Sequence, residues 1–458
     1  MSLRFISFPV WATLTLIGFT SQLSVNAQII PDRTLGSENS VVTPNQNIRG
    51  INSDRIDGGA VRGGNLFHSF EEFNVDVGRG AYFSNPDNII NILTRVTGGN
   101  ISEILGTLGV LGNANFFLIN PNGIVFGPNA QLDVGGSFFA TTADGILFEN
   151  GIEFAANNPE APPLLTINMP LGLNIRENPG TIVNQATLTT LEDGSTLRDN
   201  AGFLIPQGLN VPQNQTLALV GGDVIFDNGV AISPGSNIEL GGLSEPGIVQ
   251  INPDQSLTFP ENIQQANVAL TNQSQINVRA DGGRDININA RNFEMSSGSI
   301  IRAGFDEGLG FPEAQAGDVN INTQENIVLR DSSFISSIID IDSQGNPGDI
   351  NIETRSLLME NEAIVSASTF GPGNAGSVSI LATDSVALSN SFLLSNVEEG
   401  AVGNGGGIEI ITGNLFMSEG SKVSSFTLGQ GDGGLVSVQA TNLVELSGQD
   451  TALLGGSN

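Results

Sequence analysis

A unit of about thirty residues recurs through the second half of the chain, and few folds accommodate it. Aligned on an apolar-x-apolar core, DINI at 285–288 is followed by DVNI at 318–321, DINI at 349–352, SVSI at 377–380, GIEI at 407–410 and LVSV at 435–438. The first apolar positions, Ile286, Val319, Ile350, Val378, Ile408 and Val436, are spaced by 33, 31, 28, 30 and 28 residues. A second apolar pair follows in each unit (Ile327/Leu329, Leu357/Met359, Val386/Leu388, Leu415/Met417), then a third (Ile335/Ile338, Ile364/Val365, Leu393/Leu394, Val423/Phe426), then a Gly-rich loop such as GPGNAG or GQGDGG. No single strand of this length is stable alone. Stacked turns about 4.8 Å apart pair every backbone group with the turns on either side, and the inward Ile, Val and Leu form one column. The spacing therefore predicts an all-β right-handed parallel β-helix, with asparagines laddered at its corners. At roughly 25–30 residues per turn, about 14–17 turns are expected. A TIM barrel or Rossmann fold needs helices of ten or more residues, and outside the first 27 residues the sequence offers none.

Composition agrees with a turn-rich β protein. Glycine numbers 58 of 458 residues and charged residues are 14%, which is not the high-charge, low-hydrophobicity signature of disorder. The net charge of −31, with no basic tract, repels nucleic acid and anionic lipid. Cysteine is absent, which suits a chain that crosses an oxidising compartment unfolded.

Met1–Ala27 has the form of a secretory signal: Arg4, an apolar run from Phe5 to Phe19, and small residues at Val25-Asn26-Ala27. The run is too short for a membrane span, and no other segment is a candidate. Gln28–Gly64, with β-type pieces at Ser40–Thr43 and Ala60-Val61, reads as a β cap over the first turn of the coil. Between Asn65 and Asp144, short apolar runs alternate with turn tetrapeptides, Asn85-Pro86-Asp87-Asn88 and Asn120-Pro121-Asn122-Gly123 among them. In the second, Pro121 pre-sets position i+1, Asn122 tolerates positive φ at i+2, and Gly123 relieves crowding at i+3. NNPEAPP at 157–163 reads as a surface loop and Leu165–Ile167 as a strand. Leu217/Leu219, Val224/Phe226, Val230/Ile232 and Ile238/Leu240 read as short strands with one buried face. The chain stops inside a seventh repeat, at Thr451–Asn458, without capping composition, and reads as the N-terminal part of a longer protein.

Catalytic and metal motifs are scarce. His68 is the only histidine and stands outside any HExxH or GxSxG pattern; polar packing is expected of it. GQGDGG at 429–434 precedes a strand, whereas a dinucleotide fingerprint opens a helix. Asp285, Asp318 and Asp349 recur at equivalent positions. They are expected to stack as turn residues, with calcium binding the minor alternative. No catalytic residue, metal ligand or cofactor is assigned.

NLFHSFEEFNV, NPDN, NILTRVTGG and ANFFLINPNGIVFGPNAQLDVGGSFFATTA resemble the secretion domain of filamentous-haemagglutinin-type exoproteins of two-partner secretion, in a form similar to the cyanobacterial branch. The resemblance is closest over Gln28–Asp144 and continues more loosely to Gly242. The family's first tetrapeptide is commonly Asn-Pro-Asn-Leu; here it is Asn-Pro-Asp-Asn. The resemblance implies a secretion domain at 28–270 followed by β-helix repeats at 271–458. It also implies export through the periplasm by an Omp85-class outer-membrane transporter with periplasmic recognition domains. Asn85–Asn88 and Asn120–Gly123 would then be the secretion or transporter-recognition motifs, and the exported protein an adhesin that meets a glycan or other cell-surface receptor. A polysaccharide-active β-helix enzyme and a structural sheath protein are the alternatives.

Overall fold

A computed structural model describes residues 28–163, 169–187, 198 and 205–448. The signal segment Met1–Ala27, the expected strand Leu165–Ile167 and the terminal Thr451–Asn458 lie outside the described residues.

The chain winds as the right-handed parallel β-helix that the repeat predicts. Its first face is a ladder of twelve parallel strands, from Asn65–Phe73, Asn91–Val96, Asn115–Ile119 and Phe138–Thr141 through Thr216–Gly221 and Asn237–Gly242 to Ile286–Met295 and five further repeats ending at Val436–Leu446. In the repeats the register is the one read from sequence. Ile286 pairs with Val319, Val319 with Ile350, Ile350 with Val378, Val378 with Ile408, and Ile408 with Val436. From Ile286 onward one long strand also turns the corner to form the second face, with a register slip at the bend. Earlier turns build that face from separate short strands, Ser102–Ile104, Ile124–Phe126, Ile182–Asn184, Val224–Asp227 and Val268–Thr271. The third face is Ile51–Gly58, Arg79–Ser84, Thr107–Leu111 and Gln131–Asp133 at the N-terminal end, and Val230–Ile232 through Lys422–Ser424 beyond it. Among the described residues, no helix is long and apolar enough to cross a membrane.

Three sequence expectations change. Among the described residues the first-face ladder holds twelve strands, where 14–17 turns are expected of the whole mature chain; the chain twice leaves the coil at the same corner. After Phe138–Thr141 and again after Asn237–Gly242 it departs to build an antiparallel sheet of Gly145–Leu147, Glu153–Ala155, Gly172–Ile175, Gly247–Ile251 and Leu257–Thr258. This outer sheet covers the first face. Phe67, Leu93, Phe117, Phe139 and Val220 therefore point outward into a second core with Ile146, Phe154, Leu173 and Val249. Thr216–Gly221 is consequently buried on both sides, where the alternation suggested one. Unbroken runs such as FFLI and FFAT are the mark of a strand covered on two faces. Finally, the third apolar pairs do not both point inward. Ile335, Val365 and Leu393 are buried, whereas Ile338, Ile364 and Leu394 are half-buried and Phe426 is exposed.

The N-terminal cap is as expected. Ser40–Ile48 forms an antiparallel hairpin with Ile51–Gly58, and Ala60–Arg62 and Ile29–Pro31 pair antiparallel to the first ladder strand, Asn65–Phe73. These pieces close an edge that would otherwise be free to pair with another chain.

Candidate functional site

The two Asn-Pro turns occupy different corners of the triangular coil and are not brought together. Asn85–Asn88 joins the third face to the first, after Arg79–Ser84 and before Asn91–Val96. Asn120–Gly123 joins the first face to the second, between Asn115–Ile119 and Ile124–Phe126.

Asn120–Gly123 is wedged between neighbouring turns. Asn120 is fully buried. Its Nδ2 donates to the Asn100 carbonyl and to Ser102 Oγ, both at 3.0 Å, and its Oδ1 accepts the Asn122 backbone N–H at 3.0 Å. Asn122 Nδ2 reaches the Gly98 carbonyl at 2.8 Å. From the other side, the Gly180 N–H donates to the Pro121 carbonyl at 2.9 Å. The turn closes through Gly123 N–H to the Asn120 carbonyl at 3.1 Å. Positive φ falls on Gly123, at +134°, and not on Asn122 as the turn reading supposed. A side chain on Gly123 would be strained and would crowd the Thr181 carbonyl at 3.1 Å. Within this motif only Asn122 is exposed.

Asn85–Asn88 is the opposite case. Pro86, Asp87 and Asn88 are exposed, and Asn88 carries the positive φ, +69°. Asn85 ties the turn to its neighbour: its Oδ1 accepts the Ala114 N–H at 2.9 Å, its Nδ2 donates to the Pro86 carbonyl at 3.1 Å, and that carbonyl closes the turn by accepting the Ile89 N–H at 3.3 Å. The turn borders an open cleft of about 470 Å³, shared with Ile90 and Asn113. Ile90 is itself 61% exposed, so this corner offers a carboxylate, a carboxamide and an apolar side chain side by side.

His68 lies in the strand Asn65–Phe73, fully buried, with Nδ1 3.0 Å from Ser40 Oγ on the cap hairpin and its ring edge-on to Phe83. Burial, only partly opposed by Asp57, lowers its pKa to about 3. The imidazole is thus neutral and shut away from any substrate. The repeated aspartates do stack, as capping groups. Asp285 Oδ1 accepts the Asp318 N–H at 2.9 Å, Asp318 Oδ1 the Asp349 N–H at 2.8 Å, and Asp349 Oδ1 the Ser377 N–H at 2.8 Å. Among the described residues no three His, Asp or Glu converge as a metal cluster.

Residues that the sequence reading did not single out hold the N-terminal region together. Arg95, buried in Asn91–Val96, donates to Ser69 Oγ, the Ala155 carbonyl, Thr34 Oγ1 and the Glu160 carbonyl at 2.8–3.0 Å. Asp32 gathers the Thr34, Ser69 and Thr97 hydroxyls at 2.6–2.7 Å. Arg62 bridges Glu38 of the cap to the carbonyls of Pro162 and Pro163 in the NNPEAPP loop. A charged residue inside the apolar run NILTRV was the available signal, since a buried arginine requires partners.

The family model described as the TPS secretion domain matches residues 27–290. The chain is 38% identical over 78 residues to the heme/hemopexin-binding protein of Haemophilus influenzae, a match spanning 17% of this chain and 8% of that relative's length. Among solved structures, the HMW1 secretion domain from Haemophilus influenzae aligns over 90% of this chain and all of its own, at 18% identity and a TM-score of 0.55, which speaks to the fold. A filamentous hemagglutinin secretion domain aligns over 92% of this chain at 12% identity with a TM-score of 0.26, too low to argue from.

Proposed function

The chain belongs to the TPS secretion domain family, and on that premise we propose that it is the exported member of a two-partner secretion pair. Residues 28–270 are the part recognised in the periplasm by the soluble domains of an Omp85-class outer-membrane barrel, and residues 271–458 the β-helical shaft that follows them out. The protein is delivered to the cell surface or medium, where its exposed corners make adhesive contacts with a glycan or another surface receptor.

The observation that carries this reading is the contrast between the two Asn-Pro turns. Asn120 bonds to the preceding turn through Asn100 and Ser102, and the next turn then covers it through Gly180 N–H on Pro121, so any contact between Asn120 and the transporter precedes folding. Pro86, Asp87 and Asn88 stay open before and after it. We assign recognition to the Asn85–Asn88 corner and folding of the emerging chain to Asn120–Gly123. Since each turn of a solenoid is stabilised by its neighbours, turns that wind up outside resist return through a narrow pore.

The test is export in a Gram-negative host that carries the cognate transporter. Asp87→Lys with Asn88→Gly keeps the backbone geometry and changes the chemistry. It is expected to leave the protein in the periplasm while its melting in vitro stays unchanged. Asn120→Ala is expected to lower both export and stability. Wild-type export of the first variant overturns the assignment of recognition to this corner.

A further inference from the structure

Where the second excursion returns to the coil, the outer sheet overhangs the first face of the next turns and leaves an open groove of about 480 Å³. Its floor is two columns of outward side chains in register: Asn287, Asn320 and Asn351 in one, Asn289, Asn322 and Glu353 in the other. Its wall is Asn252, Ser256 and Thr258, where Asn252 Nδ2 donates to both hydroxyls at 3.0 Å. Phe259 is packed over Gly241, where an added Cβ would come within 2.7 Å of its ring. Gln324 holds the returning segment through the Ile263 carbonyl at 2.8 Å and the Gln265 N–H at 2.9 Å. The wall is therefore fixed to the coil.

The first column has a direction. Asn287 Nδ2 donates to Glu239 Oε1 at 2.8 Å, Asn320 Nδ2 to Asn287 Oδ1 at 3.0 Å, and Asn351 Nδ2 to Asn320 Oδ1 at 2.9 Å. Glu239 heads it, 1% exposed. Burial pushes its pKa up to about 8, so the column begins on a neutral acid. A carboxamide has two N–H donors and two acceptor lone pairs. The ladder uses one donor on each asparagine and one lone pair on Asn287 and on Asn320. Each carboxamide keeps at least one donor and one acceptor for the groove, repeated every 4.8 Å or so.

We infer that this groove binds an uncharged, extended saccharide, laid along the Asn287–Asn320–Asn351 column. Paired donors and acceptors at fixed intervals suit vicinal hydroxyls, each of which gives one hydrogen bond and takes others. No Lys, Arg or His lines the groove, so an anionic sugar would meet no counter-charge, and Glu353 would repel it. The column spans two rung spacings, about 9.6 Å, room for two or three pyranose units. This names a ligand class for the surface-contact reading and rests on that reading for its purpose.

The test is titration calorimetry on the purified full chain, independent of any transporter, so that its failure leaves the export proposal standing and the reverse. Cellotetraose, maltotetraose and laminaritetraose are the neutral probes, and tetragalacturonate the charged one. Saturable binding of at least one neutral probe, tighter than that of tetragalacturonate, is expected. Asn320→Ala breaks the middle of the column and is expected to weaken binding about tenfold. Asn322→Phe fills the groove from an exposed position without touching the ladder and is expected to weaken it as much. No binding of any neutral probe at millimolar concentration, preference for tetragalacturonate, or wild-type affinity in both variants overturns the inference.

Discussion

The guanidinium carbon of Arg95 lies 4.2 Å above the ring centre of Phe154. Arg95 belongs to the second strand of the coil and Phe154 to the outer sheet, so this contact joins two layers that the backbone links only through a long excursion. The same guanidinium reaches Thr34 of the cap. One side chain therefore touches three substructures, and its burial holds its pKa down at about 10, with Asp32 opposing.

Replacing Arg95 by Met keeps much of the volume and removes the bonds. The Ala155 and Glu160 carbonyls lose their partner, at a local cost of about 3 kcal/mol. Hydrogen exchange is the measurement: the cap and the outer sheet are expected to lose protection together, while repeats beyond Val319 keep theirs. Arg95→Lys is expected to restore little, because an ammonium cannot span four acceptors set out for a planar fork.

His68 makes the N-terminal end acid-sensitive. Its folded pKa of about 3 lies below its ordinary value of 6.5, so on acidification the unfolded chain takes up a proton that the folded one refuses. Stability is unaffected above pH 6.5 and falls by about 1.4 kcal/mol per pH unit as the pH drops toward 3. Exchange protection of Asn65–Phe73, followed from pH 7 to 4.5, is expected to fall on that slope. His68→Gln is expected to flatten it at some cost in packing.

Much of the coil was legible because the code for a β-helix is local. Ile286, Val319, Ile350, Val378, Ile408 and Val436 are spaced by the length of one turn, and a strand with a single buried face alternates visibly. The outer sheet was not legible for the same reason. Ile146, Leu173 and Val249 come from three separated segments, and nothing nearby in sequence announces that they share a layer over Phe117 and Phe139. The two Asn-Pro turns looked equivalent because turn chemistry depends on four residues. Their difference in exposure depends on the turns above and below, Gly98–Ser102 and Gly180 for one and only Ala114 for the other.

Glu239 sets an opposite pH dependence in mid-coil. Its folded pKa of about 8 stands above the ordinary 4.5, first because of burial and then through Asp285 and Asp254, against the Asn287 and Leu257 hydrogen bonds. The folded chain holds a proton that the unfolded one releases. Stability is full below pH 4.5 and is lost as pH rises through 8, by about 1.4 kcal/mol per unit. Glu239→Gln keeps the acceptor for Asn287 and cannot ionise. It is expected to protect Asn237–Gly242 more strongly than wild type at pH 8 and to match it at pH 5, as read by hydrogen exchange.

The aspartate column offers a finer test, because the same molecule solves the same problem with asparagine. Asn346, Asn374 and Asn404 each accept the backbone N–H of the next turn at 2.9–3.0 Å, as Asp285, Asp318 and Asp349 do in the neighbouring column. The two columns run three residues apart through the same loops (Asn346 and Asp349, Asn374 and Ser377), so the geometry requires an oxygen and not a charge. Asp318 has its pKa raised by burial, with Asp285 and Asp349 on either side adding to it, so its ionised form is the costly one. Asp318→Asn keeps the acceptor and removes the repulsion. Its melting temperature at pH 7 is expected to equal or exceed that of wild type. Asp318→Ala leaves the Asp349 N–H without a partner and is expected to lose about 1 kcal/mol. If the column instead held calcium, EDTA would lower the wild-type melting temperature and Asp318→Asn would behave like Asp318→Ala. With its inward oxygens already bonded to backbone amides, the expected result is that EDTA changes nothing and the two variants separate.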